Sequence, residues 1–356
     1  GGSEKKKESF KQVLKARRLL KIRYGKIYVQ FGKPLSLTEY IQKNKDFEED
    51  NNRQLAFHLI KSVNRVTIVT PLALIASAIL TNHRRGFHMN ELTDTAQLLL
   101  KFLRTYDAPT ATTLNHCERT VEETLALLVN RKVVNLLEDV EGEEIFYYVD
   151  EDKKRELEYY KNSIIHCFIP HAFVAVSLLT GTEETKTEKT ILEDHIFLKK
   201  LFKNEFVYDE GRYINTKCKT AIDYFLDSAF IIRGNDKREY KLTRLGFDKL
   251  PIWAALAKTF IESYWIATRS FIQRENKSRK KGDLLKNMNY LGLRFHKMGL
   301  IDHLEAVSRI NFSNAIGFIN DEILRNPDVT EGDTPEPKER LSELSQRLYE
   351  LSHYRV

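Results

Sequence analysis

The sequence predicts a mostly α-helical protein with a minor β component. Long stretches carry apolar side chains at helical spacing, and two of the predicted helices are each followed by two short strand-like runs joined by a turn. A helix followed closely by a strand opens the chain and indicates an α/β layer. With 356 residues, of which 42% are hydrophobic, the chain can build two or three units with their own cores.

The first element is a basic amphipathic helix over residues 9–23. Phe10 and Leu20 turn to one side of this helix, whereas Lys11 and Arg18 turn to the other. The stretch contains no Gly or Pro that would interrupt a helix. We therefore expect a helix with one cationic face.

A short strand follows the helix. Ile27, Val29 and Phe31 alternate with polar side chains, and Gly32 and Pro34 end the run. This alternation is typical of a strand that has one face in the core of a sheet.

The positive charge of the chain is concentrated at its start. Residues 1–33 hold eleven Lys or Arg and two Glu, a net charge of +9, whereas the whole chain carries +7. This local excess favours an anionic partner near the helix, and Arg17, Arg18 and Lys33 are the candidate contacts. A solvated charged face remains the plainer alternative.

The body of the chain is predicted to be helical. Residues 46–66 form one helix and residues 90–104 another, with Asn90 as its N-cap. Two apolar runs, residues 66–80 and 163–179, are too short or too polar to span a bilayer. Each is predicted to be a buried helix, with a helix lying at a membrane interface as the alternative.

Two helix-and-hairpin units stand out in this body. Both have the outline of a winged-helix module, an outline shared by DNA-binding proteins. Nucleic-acid binding is therefore the alternative function, of a different class. Residues 118–158 carry thirteen Asp or Glu and six Lys or Arg, which would repel DNA. The predicted helix and strands cover residues 121–131, 133–137 and 145–149 in the first unit, and 221–230, 231–232 and 239–242 in the second.

Metal and redox sites are not predicted. His166, Cys167 and His171 are the nearest approach to a metal-binding set, and without a second pair at zinc-finger spacing they are expected to pack inside an apolar helix. The three Cys are widely spaced and fit a reducing compartment. We expect neither a cofactor nor a metal.

Four stretches in a fixed order resemble one known family. The pattern K-x-E-S-x-x-x-x-L-K-A-R-R-x-L, followed by Y-G-K-I-Y-V-Q-F-G-K-P-L-S-L, is similar to the segment after the fourth acyltransferase block of glycerol-3-phosphate acyltransferases and dihydroxyacetone-phosphate acyltransferases. Residues 64–80, 159–179 and 257–271 resemble further sequence segments of that family, in the same order. The resemblance covers most of residues 5–320 and identifies the bacterial membrane-bound and mitochondrial type.

The residues that do chemistry in this family are not found in the chain. The family uses an H-x-x-x-x-D box in which His acts as general base and Asp orients it. None of the ten His has an Asp at that spacing; His88 with Asp94 and His296 with Asp302 have five intervening residues. We therefore predict a C-terminal portion that has no catalytic residue of its own and is inactive alone.

The resemblance implies the activity of the parent enzyme. It would transfer an acyl group from acyl-CoA or acyl carrier protein to the sn-1 hydroxyl of glycerol 3-phosphate and give lysophosphatidate for phospholipid synthesis. Arg17, Arg18 and Lys33 would then contact the donor or a phosphate. The acceptor, glycerol 3-phosphate or dihydroxyacetone phosphate, stays open.

The resemblance also implies the surroundings of the chain. Its partners would be the upstream catalytic domain and a membrane surface with anionic lipids. The enzyme would face the cytosol from the bacterial inner, mitochondrial outer or peroxisomal membrane.

The chain is predicted to have four parts. Residues 1–44 would end the α/β acyltransferase domain, residues 45–325 would form a helical C-terminal domain, and residues 326–340 would be a flexible linker. A terminal helix, residues 341–356, would follow, with Leu341, Leu344, Leu348 and Leu351 on the face that docks onto the body or onto a partner chain.

Overall fold

The protein is helical with two small sheets, which confirms the predicted class of mostly α with minor β. Its core consists of helices packed on one long helix. The computed structural model describes residues 26–43, 51–81, 86–138, 145–208, 214–273, 281–324 and 336–354.

Regular elements occupy most of the described residues. The α-helices are α1 Leu37–Lys43, α2 Asn51–Val66, α3 Pro71–Leu80, α4 Met89–Thr105, α5 Cys117–Asn130, α6 Glu151–Ile164, α7 Ile169–Leu179, α8 Glu188–Leu201, α9 Ile214–Asp227, α10 Arg244–Gln273, α11 Lys281–Lys297, α12 Arg309–Phe318 and α13 Pro337–Ser352. The strands are β1 Gly86–Phe87, β2 Asn135–Glu138, β3 Ile145–Tyr148, β4 Thr185–Thr187, β5 Ile231–Arg233 and β6 Glu239–Leu242.

Helix α10 is the centre of the molecule. Its 30 residues would extend about 45 Å at 1.5 Å per residue. Helices α7, α11, α12 and α13 all pack against it. Trp253 and Tyr264 are among the largest fully buried side chains. The burial of this helix on several sides explains why its sequence is apolar around most of its circumference.

The two predicted apolar helices also lie in the core. Helix α3 buries residues 73–79, and helix α7 buries nearly all of its residues. Thr70 caps α3 by accepting a hydrogen bond from the backbone N–H of Ala73 at 3.2 Å. The structure therefore agrees with the prediction of buried helices.

One order of elements occurs twice along the chain. In the first unit, α3, β1, α4, α5, β2 and β3 follow one another, and the antiparallel sheet has the order β1, β3, β2. In the second unit, α7, β4, α8, α9, β5 and β6 do the same, with the sheet order β4, β6, β5. The hairpins lie where the sequence predicts them, and each unit gains a third, short strand that the sequence does not reveal.

Helix α10 begins directly behind the second hairpin and packs closely on it. The backbone at Gly246 comes so near to Phe230 that a Cβ atom there would lie 1.9 Å from the Phe230 carbonyl oxygen. Thr243 fixes this junction, because its hydroxyl donates to the carbonyl of Ala229 at 2.7 Å and accepts from the Gly246 N–H at 2.9 Å. Only glycine fits this contact without a shift of the backbone.

Helix α13 packs along α10. Leu341, Leu344, Leu348 and Leu351 are all buried, which is the face that their spacing predicts. The helix begins at Pro337, four residues before the predicted start. Arg347 also donates to Asp194 of α8 at 3.1 Å.

Two local predictions are wrong. Residues 26–36 form neither helix nor strand, because a strand needs a neighbour for its backbone groups and no described strand lies beside this segment. The N-cap of α4 is His88 rather than Asn90. The side chain of Glu91 accepts the His88 backbone N–H at 3.0 Å, which fixes the helix start one residue earlier.

Candidate functional site

Lys33 is the predicted anion contact that the structure describes. It is exposed on the extended segment 26–36, ahead of α1. The hydroxyl groups of Tyr28 and Thr113 lie 3.4 Å apart, so this segment contacts the first unit near the start of α5. Arg17, Arg18 and the predicted basic helix lie outside the described residues.

Apolar side chains close to Lys33 in the sequence are exposed. Ile27 is 87% exposed, Val29 71% and Phe31 89%. Single exposed apolar residues are ordinary on a protein, whereas a contiguous group marks a surface that another molecule covers. We call the group the N-terminal surface; its members are Ile27, Val29, Phe31, Leu35, Leu37, Ile41, Phe57, Leu59, Ile60 and Val63.

A cleft of about 710 Å³ opens beside this surface. Phe57 and Ile60 of α2 form part of its wall, so the N-terminal surface continues into the cleft. Amide and carboxyl side chains from α2 and three other regions also line it, which makes the cleft amphipathic. They include Asn64, Asn162, Asn204, Glu205, Asn311 and Asn314.

His166 lies in the wall of this cleft. Its Nε2 atom is 3.1 Å from the carbonyl oxygen of Asn64, and burial lowers its pKa although that hydrogen bond raises it. The Cys167 sulfur lies 3.5 Å from the same ring nitrogen, and burial raises the pKa of the thiol to about 11. Both groups are neutral near pH 7, so this pair offers neither a thiolate nucleophile nor a cation.

His171 points away from its two neighbours. It lies within an aromatic cluster, and its Nε2 atom is 3.1 Å from the hydroxyl of Tyr106. Burial lowers the pKa of His171 to about 3. Among the described residues, no group of three His, Cys, Asp or Glu is arranged to hold a metal ion. His171 is thus buried in the core, whereas His166 and Cys167 are half-buried in the short 3-10 helix that precedes α7.

The two His–Asp pairs nearest to the acid–base spacing do not form a dyad. The His296 ring lies 3.7 Å from Glu151, whereas Asp302 is bound to Lys258. His88 caps α4, and its Nδ1 lies 3.2 Å from the carbonyl oxygen of Ile145. Neither arrangement gives a base with an orienting carboxylate.

The sequence predictions miss a buried charged network on α10. Glu262 accepts the backbone N–H groups of Asp302 and His303 at 3.0 and 3.1 Å, and the His303 ring nitrogen at 3.1 Å. Lys258 binds Asp302, and its ammonium group lies 4.8 Å from the ring centre of Tyr354. The sequence signal for this network is a Lys and a Glu four residues apart inside an apolar helix. The network joins α10, the loop before α12 and the end of α13.

Comparison with known proteins decides the family. A model of the family described as "Glycerol-3-phosphate acyltransferase C-terminal region" matches residues 1–328, which is most of the chain. The chain belongs to this family. The family predicted from the four sequence stretches is thereby confirmed.

Several bacterial proteins named glycerol-3-phosphate acyltransferase are similar to this member of the family. That of Pseudomonas fluorescens is 26% identical over 249 residues, covering 65% of this chain and 28% of the relative. That of Colwellia psychrerythraea is 26% identical over 228 residues, covering 60% and 27%. That of Pseudomonas putida KT2440 is 26% identical over 200 residues, covering 52% and 24%. The chain thus aligns with about a quarter of the length of these relatives.

Within the described ranges, no single helix combines the length and apolar composition that a membrane crossing requires. Glu151–Cys167 and Ile169–Leu179 meet both criteria only as a pair, with a bend of 95° between them.

Proposed function

We propose that this chain is the C-terminal part of a glycerol-3-phosphate 1-O-acyltransferase. The parent enzyme moves an acyl group from acyl-CoA or acyl carrier protein to the sn-1 hydroxyl of glycerol 3-phosphate, and the product is lysophosphatidate. The family match over residues 1–328 is the observation that carries this proposal. The names of the relatives favour glycerol 3-phosphate over dihydroxyacetone phosphate as acceptor.

The chain itself supplies support rather than the general base. No His of the sequence has an Asp at the H-x-x-x-x-D spacing, and the two nearest pairs are engaged elsewhere. The matched family is described as a C-terminal region, which fits a base in another part of the enzyme. We therefore expect no acyl transfer by residues 1–356 alone.

The N-terminal surface is the proposed contact with the catalytic domain. Ile27, Val29 and Phe31 alternate along an extended segment, so their backbone is ready to add to the edge of a sheet. Residues 1–44 would in this way close the α/β acyltransferase domain. Lys33 lies at the same surface, where we propose that it contacts a phosphate of the donor or acceptor together with Arg17 and Arg18.

The rest of the chain is divided much as the sequence predicts. We propose residues 45–325 as the helical domain and residues 326–336 as the linker, because the terminal helix begins at Pro337 rather than at residue 341. We propose that the two repeated units are winged-helix modules, since each has the order helix, strand, helix, helix, hairpin. The third helix of the first unit carries Glu118, Glu122 and Glu123, so we assign these modules a scaffolding role rather than nucleic-acid binding.

Membrane docking is the last part of the proposal. Residues 269–297 hold nine Lys or Arg and two acidic residues, and each cation near an anionic surface contributes about 1 kcal/mol. Together with the basic start of the chain, they would hold the enzyme on the cytosolic face of its membrane. Binding to liposomes with and without anionic lipid tests this part; equal binding at low salt would contradict it.

Substitutions in the N-terminal surface test the proposed contact. Ile27→Asp and Phe31→Asp, made in the full-length enzyme, should reduce acylation of glycerol 3-phosphate at least tenfold. Ile232→Asp is the matched control, because Ile232 is also exposed but lies on the hairpin of the second unit. The same changes in residues 1–356 should leave thermal unfolding unchanged. Equal activity of all three variants would contradict the proposed contact.

A further inference from the structure

Helix α13 packs on the body as a separate layer. It lies on a surface formed by α7, α8 and α10, which we call the α13 groove. Leu341, Leu344, Leu348 and Leu351 are buried in this groove, whereas the opposite side of the helix is exposed. The backbone hydrogen bonds described for α13 stay within the helix and its ends. Side-chain contacts therefore hold this helix on the body, as in the docking of an amphipathic helix in a groove.

Arg347 is the polar anchor of this apolar contact. The central carbon of its guanidinium group lies 3.9 Å from the ring centre of Phe197, and its Nη2 atom donates to Oδ1 of Asp194 at 3.1 Å. The hydroxyl of Ser177 donates to the other oxygen of Asp194 at 2.5 Å and so orients this carboxylate. Helices α7 and α8 therefore present an oriented carboxylate and an aromatic ring that together fit one arginine.

Tyr354, just after α13, covers the buried charged network of α10. Its side chain is buried, and the centre of its ring lies 4.8 Å from the ammonium group of Lys258, which is bound to Asp302. Among the described residues, the hydroxyl of Tyr354 has no hydrogen-bond partner. Docking of this end therefore gives up the hydration of one hydroxyl group without replacing it, and this cost favours release of the helix.

Helix α13 lies outside the region that the family comparison matches. The match ends at residue 328, whereas α13 begins at Pro337. The α13 groove belongs to the matched region, since Ser177, Asp194 and Lys258 all lie before residue 328. The groove and the helix in it therefore belong to different parts of the chain, as a domain and a tethered peptide ligand do.

We propose that the α13 groove is a binding site for an amphipathic helix, and that α13 is its exchangeable ligand within the chain. The ligand is recognised by one face that carries four leucines, at positions 341, 344, 348 and 351, and an arginine at position 347. The inference stands on the contacts of α13 and does not depend on the acyltransferase reaction. A helix of another molecule with the same face would compete with α13 for the groove.

Exchange of α13 in the full chain tests the proposal. A protease site is inserted after Gly332, the chain is cleaved there, and a fluorescein-labelled peptide of residues 337–354 is added in excess. The peptide should replace the resident helix, which a rise in fluorescence anisotropy and the release of the native segment detect. The uncleaved chain should bind the peptide at least about tenfold more weakly, because its tethered helix competes at a high effective concentration. Thermal unfolding verifies that the cleaved chain keeps its fold.

Variants locate the contact. Arg347→Met in the peptide should weaken its binding to the cleaved chain at least about tenfold, whereas Gln346→Met, on the exposed side of the helix, should change it less than about twofold. Asp194→Asn in the chain should weaken binding of the unchanged peptide but have little further effect on the Arg347→Met peptide, because the two changes remove the same interaction. Equal binding of the two variant peptides, no exchange of α13, or unfolding of the chain on cleavage would overturn the proposal.

Discussion

His303 donates its Nδ1 proton to Oε2 of Glu262 across 3.1 Å. The direction follows from the chemistry, because an ionised carboxylate can only accept. Glu262 is 1% exposed and also accepts two backbone N–H groups of the same loop. Three hydrogen bonds therefore compensate the burial of this carboxylate and hold the loop before α12 against the central helix.

Replacing Glu262 should destabilise the protein strongly. Glu262→Gln removes the charge that faces His303 and places an amide group among N–H donors, so we expect a loss of about 3 kcal/mol in the free energy of unfolding. Urea denaturation measures it. Glu343→Gln, on the exposed side of α13, is the matched control and should change stability by less than about 0.5 kcal/mol. Similar midpoints for both variants would exclude the network as a stabilising feature.

The His303–Glu262 pair should make the protein less stable as the pH rises. Burial lowers the pKa of His303, but the charge of Glu262 and its hydrogen bond raise it, and the net pKa is raised above 6.5. The pair therefore stabilises the folded state fully below pH 6.5, and this contribution is lost as the pH rises through the raised pKa. Denaturation between pH 6 and 9 should show a steeper decline for the wild-type chain than for His303→Gln. Parallel profiles would contradict this assignment.

His171 should make the protein less stable as the pH falls. Burial lowers its pKa to about 3, with smaller effects from His195 and Lys217, so the folded protein keeps it neutral. The unfolded chain takes up this proton below pH 6.5, and stability is lost as the pH falls toward the folded pKa, by up to about 1.4 kcal/mol per pH unit. The difference in unfolding free energy between pH 6.5 and 4.5 should be smaller in His171→Phe. An unchanged difference would show that His171 does not titrate as described.

Gly246 should tolerate no side chain. Its Cβ position lies 1.9 Å from the Phe230 carbonyl oxygen, which is backbone and cannot rotate away. We expect Gly246→Ala to lower the unfolding free energy by about 2 kcal/mol or more, since the junction of α10 with the second hairpin must shift. Gly282→Ala is the control, because nothing lies within 4 Å of its Cβ position. A Gly246→Ala variant as stable as the control would contradict this close contact.

The sequence predicts the parts of this fold that depend on local spacing. Leu341 and Leu348 belong to a face whose period is that of a helix, and that face is buried. The apolar character of α3 and α7 likewise leads to burial. These predictions succeed because a helix satisfies its own backbone hydrogen bonds and needs only an apolar neighbour.

Other features depend on partners distant in the chain. The strand predicted from Ile27 to Phe31 does not form, since its pairing partner is not among the described elements. Glu262 and His303 are 41 residues apart, and their pairing becomes visible only in three dimensions. Of the predicted anion contacts, Lys33 lies on the N-terminal surface, whereas Arg17 and Arg18 lie outside the described residues. Their roles stay predictions.

The acyl-transfer assay tests the central claim most directly. Glycerol 3-phosphate and a radiolabelled acyl-CoA are incubated with residues 1–356 and, separately, with a full-length enzyme that contains them. We expect labelled lysophosphatidate from the full-length enzyme and none above background from residues 1–356. Turnover by residues 1–356 alone, or a full-length enzyme that acylates no glycerol 3-phosphate, would contradict the claim that this chain is the supporting C-terminal part of such an acyltransferase.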